Sequence, residues 1–569
     1  MKSFNLRALV ILFFLRGVCI IAFGALGVEG VYNVKDFGAS GDGKTDDTAA
    51  FQKALDKAGE SPGAVVHAPI GNYLVEKRLV IPDHVTLEGV WRIPTAWTQH
   101  KGSTLLAVAD AGKPEAEPFI TLKTNSTIKG ITIFYPEQKE TNPPTPYPWT
   151  IASGGADNCS IVDCLLVNPY KAVDFGTRVA GRHYIRNLYG QPLYRGLFID
   201  QCYDVGRVEN VHFWPFWVHG DDHPISKFMR EEAEAFVIGR TDWEYMNGCF
   251  TILYKVGFRF TSFKNGPGNV LLNTCGADVG PIAVVVDDCQ HHAGVSFSNS
   301  QMYGDIIVKG TNSGPVKFTG CGLFGSTDGG RGVTHAKIDG AGQVSLTNCH
   351  LKTIDPKNKA RCMIRTDGGG LSVIGCDFMD PDKEHIFLGK DVQSAVVMGN
   401  RFRGRMKITD ESVLNVSITG NVDDSREEEP GAMVIDNGND EPGFETQGAW
   451  KRAFLGGDYM GDQLWCAMGK GESRAEWKAK IPREGLYKVY VWYGADLNDD
   501  HATNAPFTVH FSGGEKELRV NLEKNKYTWN LLGEFPFKKN EVAKVVLTND
   551  ADGFVVADAV KFLLVKALD

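Results

Sequence analysis

No surplus of basic residues runs through this chain: 60 Lys plus Arg stand against 69 Asp plus Glu, for a formal net charge of −9. A nucleic-acid binder normally carries the opposite imbalance, so that class receives no support, and any attraction for an anionic ligand has to be local. Beyond the N-terminus no apolar run is long enough to span a bilayer. The 12 cysteines contain no C-x-x-C pair, which removes the commonest zinc-site pattern. Helical periodicity is scarce in the middle of the chain, where short β-type runs follow one another.

What is present begins with an export signal. Lys2 and Arg7 precede an apolar run from Ala8 to Leu15, and the small residues Ala25 and Gly27 follow as at a cleavage site, giving a signal peptide over residues 1–27. Arg16 interrupts the apolar stretch, which argues against a stable membrane anchor. A secreted or periplasmic location follows. Cys19 falls in the signal and leaves eleven cysteines in a compartment where disulfides form. Their positions nevertheless favour buried thiols.

Those positions belong to an internal repeat. The segments "VKFTGCGLFG", "VSLTNCHLKT", "LSVIGCDFMD", "AVVMGNRFRG" and "VSITGNVDD" each give a strand, then Gly or Asn, then Cys or Asn. The repeated site falls at Cys321, Cys349, Cys376, Asn400 and Asn421, at spacings of 28, 27, 24 and 21 residues. Short strands at such a period describe coils of a parallel β-solenoid, whose inner faces are buried only by stacking. Inward Asn amides hydrogen-bond along such a stack and Cys fills space as a small apolar group. The same frame extends upstream through Gly89, Gly130, Cys164, Asn187 and Asn210, so the coils run from about residue 60 to about residue 425. An uncovered first coil exposes core and strand edges. The segment "VYNVKDFGASGDGKTDDTAAFQKALDKAG" supplies a plug: a strand, a Gly-rich turn, Asp46 as N-cap, and a helix with Ala50, Phe51, Ala54 and Leu55 on one face. Asp36, Asp42 and Asp46 have turn and cap roles in this reading; calcium is possible but no spacing indicates it, and no cofactor is required.

The stretch "VKDFGASGDGKTDDTAAFQKALDKA" resembles the opening motif of the pectate lyase superfamily, right-handed β-helix proteins with rhamnogalacturonase-like and epimerase-like members. With the coil pattern, the resemblance covers roughly residues 30–425 and implies a carbohydrate-active β-helix. Two departures leave the reaction open. The ordered Asn-x-Asp, Asp-Asp and Gly-His-Gly set of polygalacturonases is missing, with "VVVDDCQHH" holding the Asp-Asp alone, and so is the Arg-x-Pro-x-x-Arg element of calcium pectate lyases.

A second repeat lies a few residues past each ladder site: "PYKAVDF", "LYRGLFI", "PFWVHGD" and "LYKVGFRF". Aligned, they place Tyr170-Lys171, Tyr194-Arg195, Phe216-Trp217 and Tyr254-Lys255 on one stripe of the solenoid. Aromatic faces offer sugar rings a rigid apolar contact, and Lys or Arg binds carboxylate or sulfate. Tyr170, Lys171, Tyr194, Arg195, Trp217, Tyr254 and Lys255 are therefore the expected substrate-binding set for an acidic polysaccharide. Between Trp217 and Tyr254 lies an insertion whose middle, about residues 224–238, reads as a helix. His219, Asp221, Asp222, Asp242 and Glu244 flank it and are the expected catalytic groups. Glycoside hydrolysis requires a carboxylic acid and a second carboxylate, and these residues supply the pair. β-Elimination requires a base and cations at a uronate carboxyl, for which His219, Lys171, Arg195 and Lys255 serve. Hydrolysis is the first reading, elimination the alternative, and a non-catalytic glycan binder or an epimerase the remainder. No metal is demanded by these spacings.

After Asn421 a charged stretch, with residues 426–431 as linker, leads into residues 432–569. Alternating runs such as "GLYKVYVWYG" and "APFTVHFSGG" between Gly, Asn and Asp turns predict an antiparallel β-sandwich. "IDNGNDEPGFETQGAW", "GLYKVYVWY" and "VVADAVKF" resemble the golvesin-type C-terminal domain also seen beside xanthan-lyase-like enzymes. That resemblance implies an accessory, carbohydrate-binding module, with Trp450, Trp465, Trp477, Trp492 and Trp529 as stacking candidates. The chain thus reads as an all-β protein: a signal peptide (1–27), a right-handed parallel β-helix with an N-terminal capping helix (28–425), a linker and a β-sandwich.

Overall fold

The computed structural model describes residues 29–91, 101–220, 222–326, 334–354, 362–380, 383–423, 429, 431–438, 443–453, 458–494 and 500–567. The signal segment, most of the linker and Asp221 lie outside these residues.

A right-handed parallel β-helix occupies the first part. One full coil illustrates its three strands: Asp305–Val308, Val316–Thr319 and Gly322–Ser326, each paired in parallel with its counterpart one coil on, Thr334–Ile338, Gln343–Thr347 and His350–Ile354. Inward residues stack in columns. Phe236 lies on Phe258 at 4.8 Å and 8°, Phe297 on Phe318 at 5.1 Å and 4°, and Phe378 on Phe402 at 4.7 Å and 17°, close to the spacing of adjacent strands.

The two-residue signature of each coil has two separate causes. Its first residue turns the chain between the second and third strands in a left-handed conformation: φ is +51° at Asn210, +62° at Gly248, +48° at Asn299, +61° at Gly320, +52° at Asn348 and +64° at Gly375. Only Gly and the short Asn or Asp side chains enter that region cheaply. Where it is Ser, Cys or Asn, the second residue points into the core and accepts a hydrogen bond from the backbone one coil earlier; after Asn210 it is the buried Val211. Ser300 Oγ accepts from Cys275 N, Cys376 Sγ from Cys349 N, Asn400 Oδ1 from Cys376 N and Asn421 Oδ1 from Asn400 N. Asn187 and Asn210 correct the upstream alignment by one position, because they are the left-handed turn residues and form an outer ladder, Asn210 Nδ2 to Asn187 Oδ1 to Asp163. All eleven described cysteines are buried free thiols.

The first coil is covered by α1 (Thr48–Gly59), which buries Phe51, Ala54, Leu55 and Ala58. Asp47 takes the N-cap position in place of Asp46; its carboxylate receives Ser40 N and Gly41 N, while Asp46 receives Thr48 N. Asp42 spends its oxygens on Lys44 N and Thr45 N. Strands Val31–Asn33 and Asp42–Asp46 already pair with the coil that follows, so the stack begins well before residue 60.

Past the solenoid, antiparallel sheets of four and five strands form a sandwich. Trp477 is fully buried between them and donates Nε1–H to Asp558 O. Trp492 is also buried, while Trp450, Trp465 and Trp529 are half-buried. Two of the five thus pack as core.

Candidate functional site

The site grows out of strand register. Trp149 pairs with Lys171, Lys171 with Arg195, Arg195 with Glu234 and Glu234 with Val256, so these side chains form one column on successive coils. The next rungs along the same strands bring Phe198, Val237 and Arg259 into line. All of them except the buried Val256 line a cleft of about 470 Å³, with Lys171, Arg195 and Arg259 facing Glu115, Glu234 and Asp287, and with Trp149, Tyr194, Phe198 and Phe263 as apolar walls. Gly196 lets adjacent coils approach closely beneath the cleft, since a Cβ there would lie 2.1 Å from Ala235 O.

Each cation of the cleft is held by its own partners. Lys171, only 11% exposed, donates Nζ–H to Pro114 O at 3.0 Å and to Glu115 Oε1 at 2.9 Å, and Glu115 is almost wholly exposed at 88%. The Glu115 side of this pair is open to solvent, where another anion can take its place. Arg195 stacks on the Tyr194 ring at 3.7 Å, donates Nη2–H to Tyr194 Oη at 3.1 Å and Nη1–H to Glu232 O at 2.9 Å. Tyr194 is stacked in turn on Tyr170 at 5.0 Å and 19°. Arg259 bonds Glu234 at 2.9 Å and Asp287 at 2.6 Å. Burial alone would raise the Asp287 carboxyl; Arg259 and Lys309 overcome it and hold it below the usual carboxylate range.

Four of the seven expected binding residues meet here or at its edge: Lys171, Tyr194 and Arg195 line the cleft, and Tyr170 packs behind Tyr194. The other three do not. Trp217 lies in a loop before the insertion helix, held by Gln191 Oε1 on its backbone N–H and packed half-buried on the core; the third rung is Glu234. Tyr254 is buried and its hydroxyl donates to Pro192 O at 2.8 Å. Lys255 stands one position before the Val256 rung, its Nζ 3.7 Å from Glu232 on the helix.

The expected catalytic groups are scattered. The insertion helix, α2 (Pro224–Glu232), is shorter than predicted, because Glu234–Ile238 is the next strand of the column. Asp222 is fully exposed beside Lys227, and His223 rather than an aspartate caps the helix by accepting Ile225 N–H. His219 is exposed on the preceding loop, and Asp221 lies outside the described residues. Asp242 is paired with Arg240 at 2.5 Å. Glu244 points into the solenoid interior, fully buried, with Oε1 2.9 Å from His183 Nε2. None of the four described residues lines the cleft. The aromatic stretch around the helix is mostly packing: Phe213 and Phe216 are buried, and Trp214 lies on Phe216 at 4.5 Å.

Sequence reasoning missed Trp149, Glu234, Arg259 and Asp287. The "YKAVDF" and "YRGLFI" repeat marks its continuation in "EAFVIG" and "VGFRFT" by the inward Phe and the apolar residue two places on, which would have put Glu234 and Arg259 on the same face.

Residues 31–169 match the family model described as rhamnogalacturonase A/epimerase, pectate lyase-like, and residues 433–564 match that of the golvesin C-terminal domain. A xanthan lyase of Bacillus sp. (strain GL1) is 30% identical over 161 residues, 27% of this chain and 17% of that protein. A mannuronan C5-epimerase of Azotobacter vinelandii is 42% identical over 82 residues, 12% of this chain and 6% of that one. Among solved structures, the A-module of an Azotobacter vinelandii mannuronan C-5 epimerase matches 70% of this chain and 100% of its own, at 15% identity and a TM-score of 0.35. The chain spans less than a fifth of the length of these two curated relatives. Over residues 31–169 it is therefore similar to pectate lyase-like proteins of the rhamnogalacturonase A/epimerase family, and over residues 433–564 to golvesin C-terminal domains.

Proposed function

We propose that this chain is an exported enzyme that binds an acidic polysaccharide along the cleft and removes the proton next to a uronate carboxyl, the step shared by β-elimination and C5 epimerisation. The observation that carries this reading is the column itself: Lys171 and Arg195 lie one coil apart in one cleft, flanked by Trp149 and Tyr194. Relatives named as a lyase and as an epimerase of acidic glycans favour the same pair of reactions over hydrolysis.

Removing a proton beside a carboxylate builds negative charge on that carboxyl, so fixed cations at its oxygens lower the barrier. Lys171 accepts the substrate carboxylate by exchanging it for the exposed Glu115, and Arg195 holds it from the next rung. Tyr194, whose hydroxyl oxygen receives a hydrogen bond from Arg195, takes the proton beside the carboxylate in its phenolate form. Trp149, stacked at 6.2 Å and 20° with Phe198, carries the sugar ring. Glu234 and Asp287 fix Arg259 and have no role as a hydrolytic pair, because both are engaged by it.

The test is a panel of uronate polysaccharides in heavy water. An ultraviolet-absorbing unsaturated end marks elimination, and deuterium at C5 without chain shortening marks epimerisation. New reducing ends lacking both would overturn the reading in favour of hydrolysis. Lys171→Ala is expected to raise KM by roughly tenfold or more, since a charge-assisted contact is worth about 1.5–3 kcal/mol. Tyr194→Phe is expected to lower kcat by about 100-fold or more with KM little changed.

A further inference from the structure

Behind the cleft strands, the interior of the solenoid holds three side chains of different donor types. His183, Cys202 and Glu244 are each fully buried, and their ligand atoms lie within 4.8 Å of one another. Their meeting is arranged by register. Tyr184 pairs with Arg207 and Gly206 with Glu244, so His183, Gly206 and Glu244 occupy one column on three successive coils. Glycine on the middle rung opens the space in which the outer two side chains converge, because a Cβ at Gly206 would lie 2.2 Å from Glu244 Oε2 and 2.6 Å from His183 Nε2. The same middle coil contributes Cys202.

The hydrogen bonding inside this space is incomplete in a specific way. His183 Nδ1 lies 2.8 Å from Ala180 O, an acceptor only, so Nδ1 carries a proton. In the metal-free pair Nε2–H donates to Glu244 Oε1 at 2.9 Å, and loss of that proton presents an Nε2 lone pair to the centre. Glu244 Oε2 is buried without any hydrogen-bond partner. Cys202 Sγ–H donates to the Asp204 carbonyl oxygen at 2.9 Å and stands beside the His183 ring. Burying the unpaired Glu244 oxygen is costly, and a positive centre held by all three side chains satisfies it.

We propose that His183, Cys202 and Glu244 form a structural binding site for a divalent transition metal, zinc by its donor set, that staples three coils from inside the lumen. A nitrogen, a sulfur and a carboxylate oxygen are the ligands zinc takes, and a backbone carbonyl behind the imidazole is the usual support for a metal-bound histidine. On binding, Cys202 releases its thiol proton and His183 its Nε2 proton to solvent, and the dication, thiolate, carboxylate and neutral imidazole sum to zero charge, as a dry interior requires. The assignment is independent of the reaction at the cleft.

The test uses the full-length protein purified from zinc-supplemented culture. Elemental analysis is expected to give about one zinc per chain, retained against a chelator while folded and released on unfolding. Refolding with Co²⁺ is expected to give a near-ultraviolet thiolate-to-cobalt band that Cys202→Ser abolishes, and Gly206→Ala is expected to lose the metal altogether. Wild-type protein holding less than about a tenth of an equivalent of metal would overturn the site, leaving a buried imidazolium–carboxylate pair in its place. Persistence of the thiolate band in Cys202→Ser would overturn the ligand set. The wild-type measurements decide the question even where a variant fails to fold.

Discussion

Single residues separate by burial more sharply than by type. Tyr254 and Tyr194 both precede a cation in the sequence, yet one is sealed in the core and the other walls the cleft. The reason is a one-residue offset: Lys255, not Tyr254, stands where Tyr194 stands relative to the paired strands, and in a strand such a slip exchanges inside for outside. Tyr254→Phe is accordingly expected to leave activity unchanged and to cost about 1 kcal/mol of stability from the lost bond to Pro192 O, read as a lowered melting temperature. Asp305 gives a pH signature. Burial pushes its carboxyl up to about 7, so between about pH 4, where the unfolded chain ionises, and about pH 7 the folded protein binds the extra proton. Its contribution therefore falls as pH rises through that window. Asp305→Asn is expected to raise the melting temperature more at about pH 8 than at about pH 4; an equal change at both would contradict the burial argument.

Among elements, the turn signature explains why the fold was legible while the cleft was legible only in part. Each coil announces itself by a left-handed residue followed by an inward acceptor, at Gly320-Cys321, Asn348-Cys349, Gly375-Cys376 and Gly399-Asn400. These are local backbone requirements, which a linear sequence displays directly. Rung membership is different, because it depends on where the chain returns to the stack after an excursion. Lys171 and Arg195, with no insertion between them, were aligned correctly; the excursion through α2 hid Glu234 and promoted Trp217 in its place. The buried carboxylate Glu244 was misread for a related reason, since its alternation within "DWEYMN" gives no sign of which side is lumen. The ladder can be tested apart from the cleft. Asn400→Ala is expected to strand the buried N–H of Cys376 and cost about 2 kcal/mol or more, while Gly375→Ala is expected to cost about 1–2 kcal/mol through its positive φ and a Cβ 2.4 Å from Asn348 Oδ1. Urea unfolding followed by far-ultraviolet dichroism measures both.

At the scale of the whole molecule the solenoid has two unlike ends. The first coil is sealed by α1, whereas the last described coil leaves Leu414, Ile418 and Val422 exposed at 55%, 37% and 60%. An uncovered strand edge bearing apolar groups invites pairing with another copy. Ile418→Lys with Val422→Glu is expected to reduce concentration-dependent light scattering without altering turnover. The excursion between Phe213 and Glu234 has a wider consequence, because the chain leaves the stack, builds a helix and re-enters with Arg195 still opposite Glu234. A replacement segment of different length grafted at those two points, provided it keeps the packing of Val218, Ile225 and Met229, would alter what borders the cleft while leaving its floor untouched. On the proposed function, preference for one glycan over another is thereby free to drift in this scaffold with little cost to its folding.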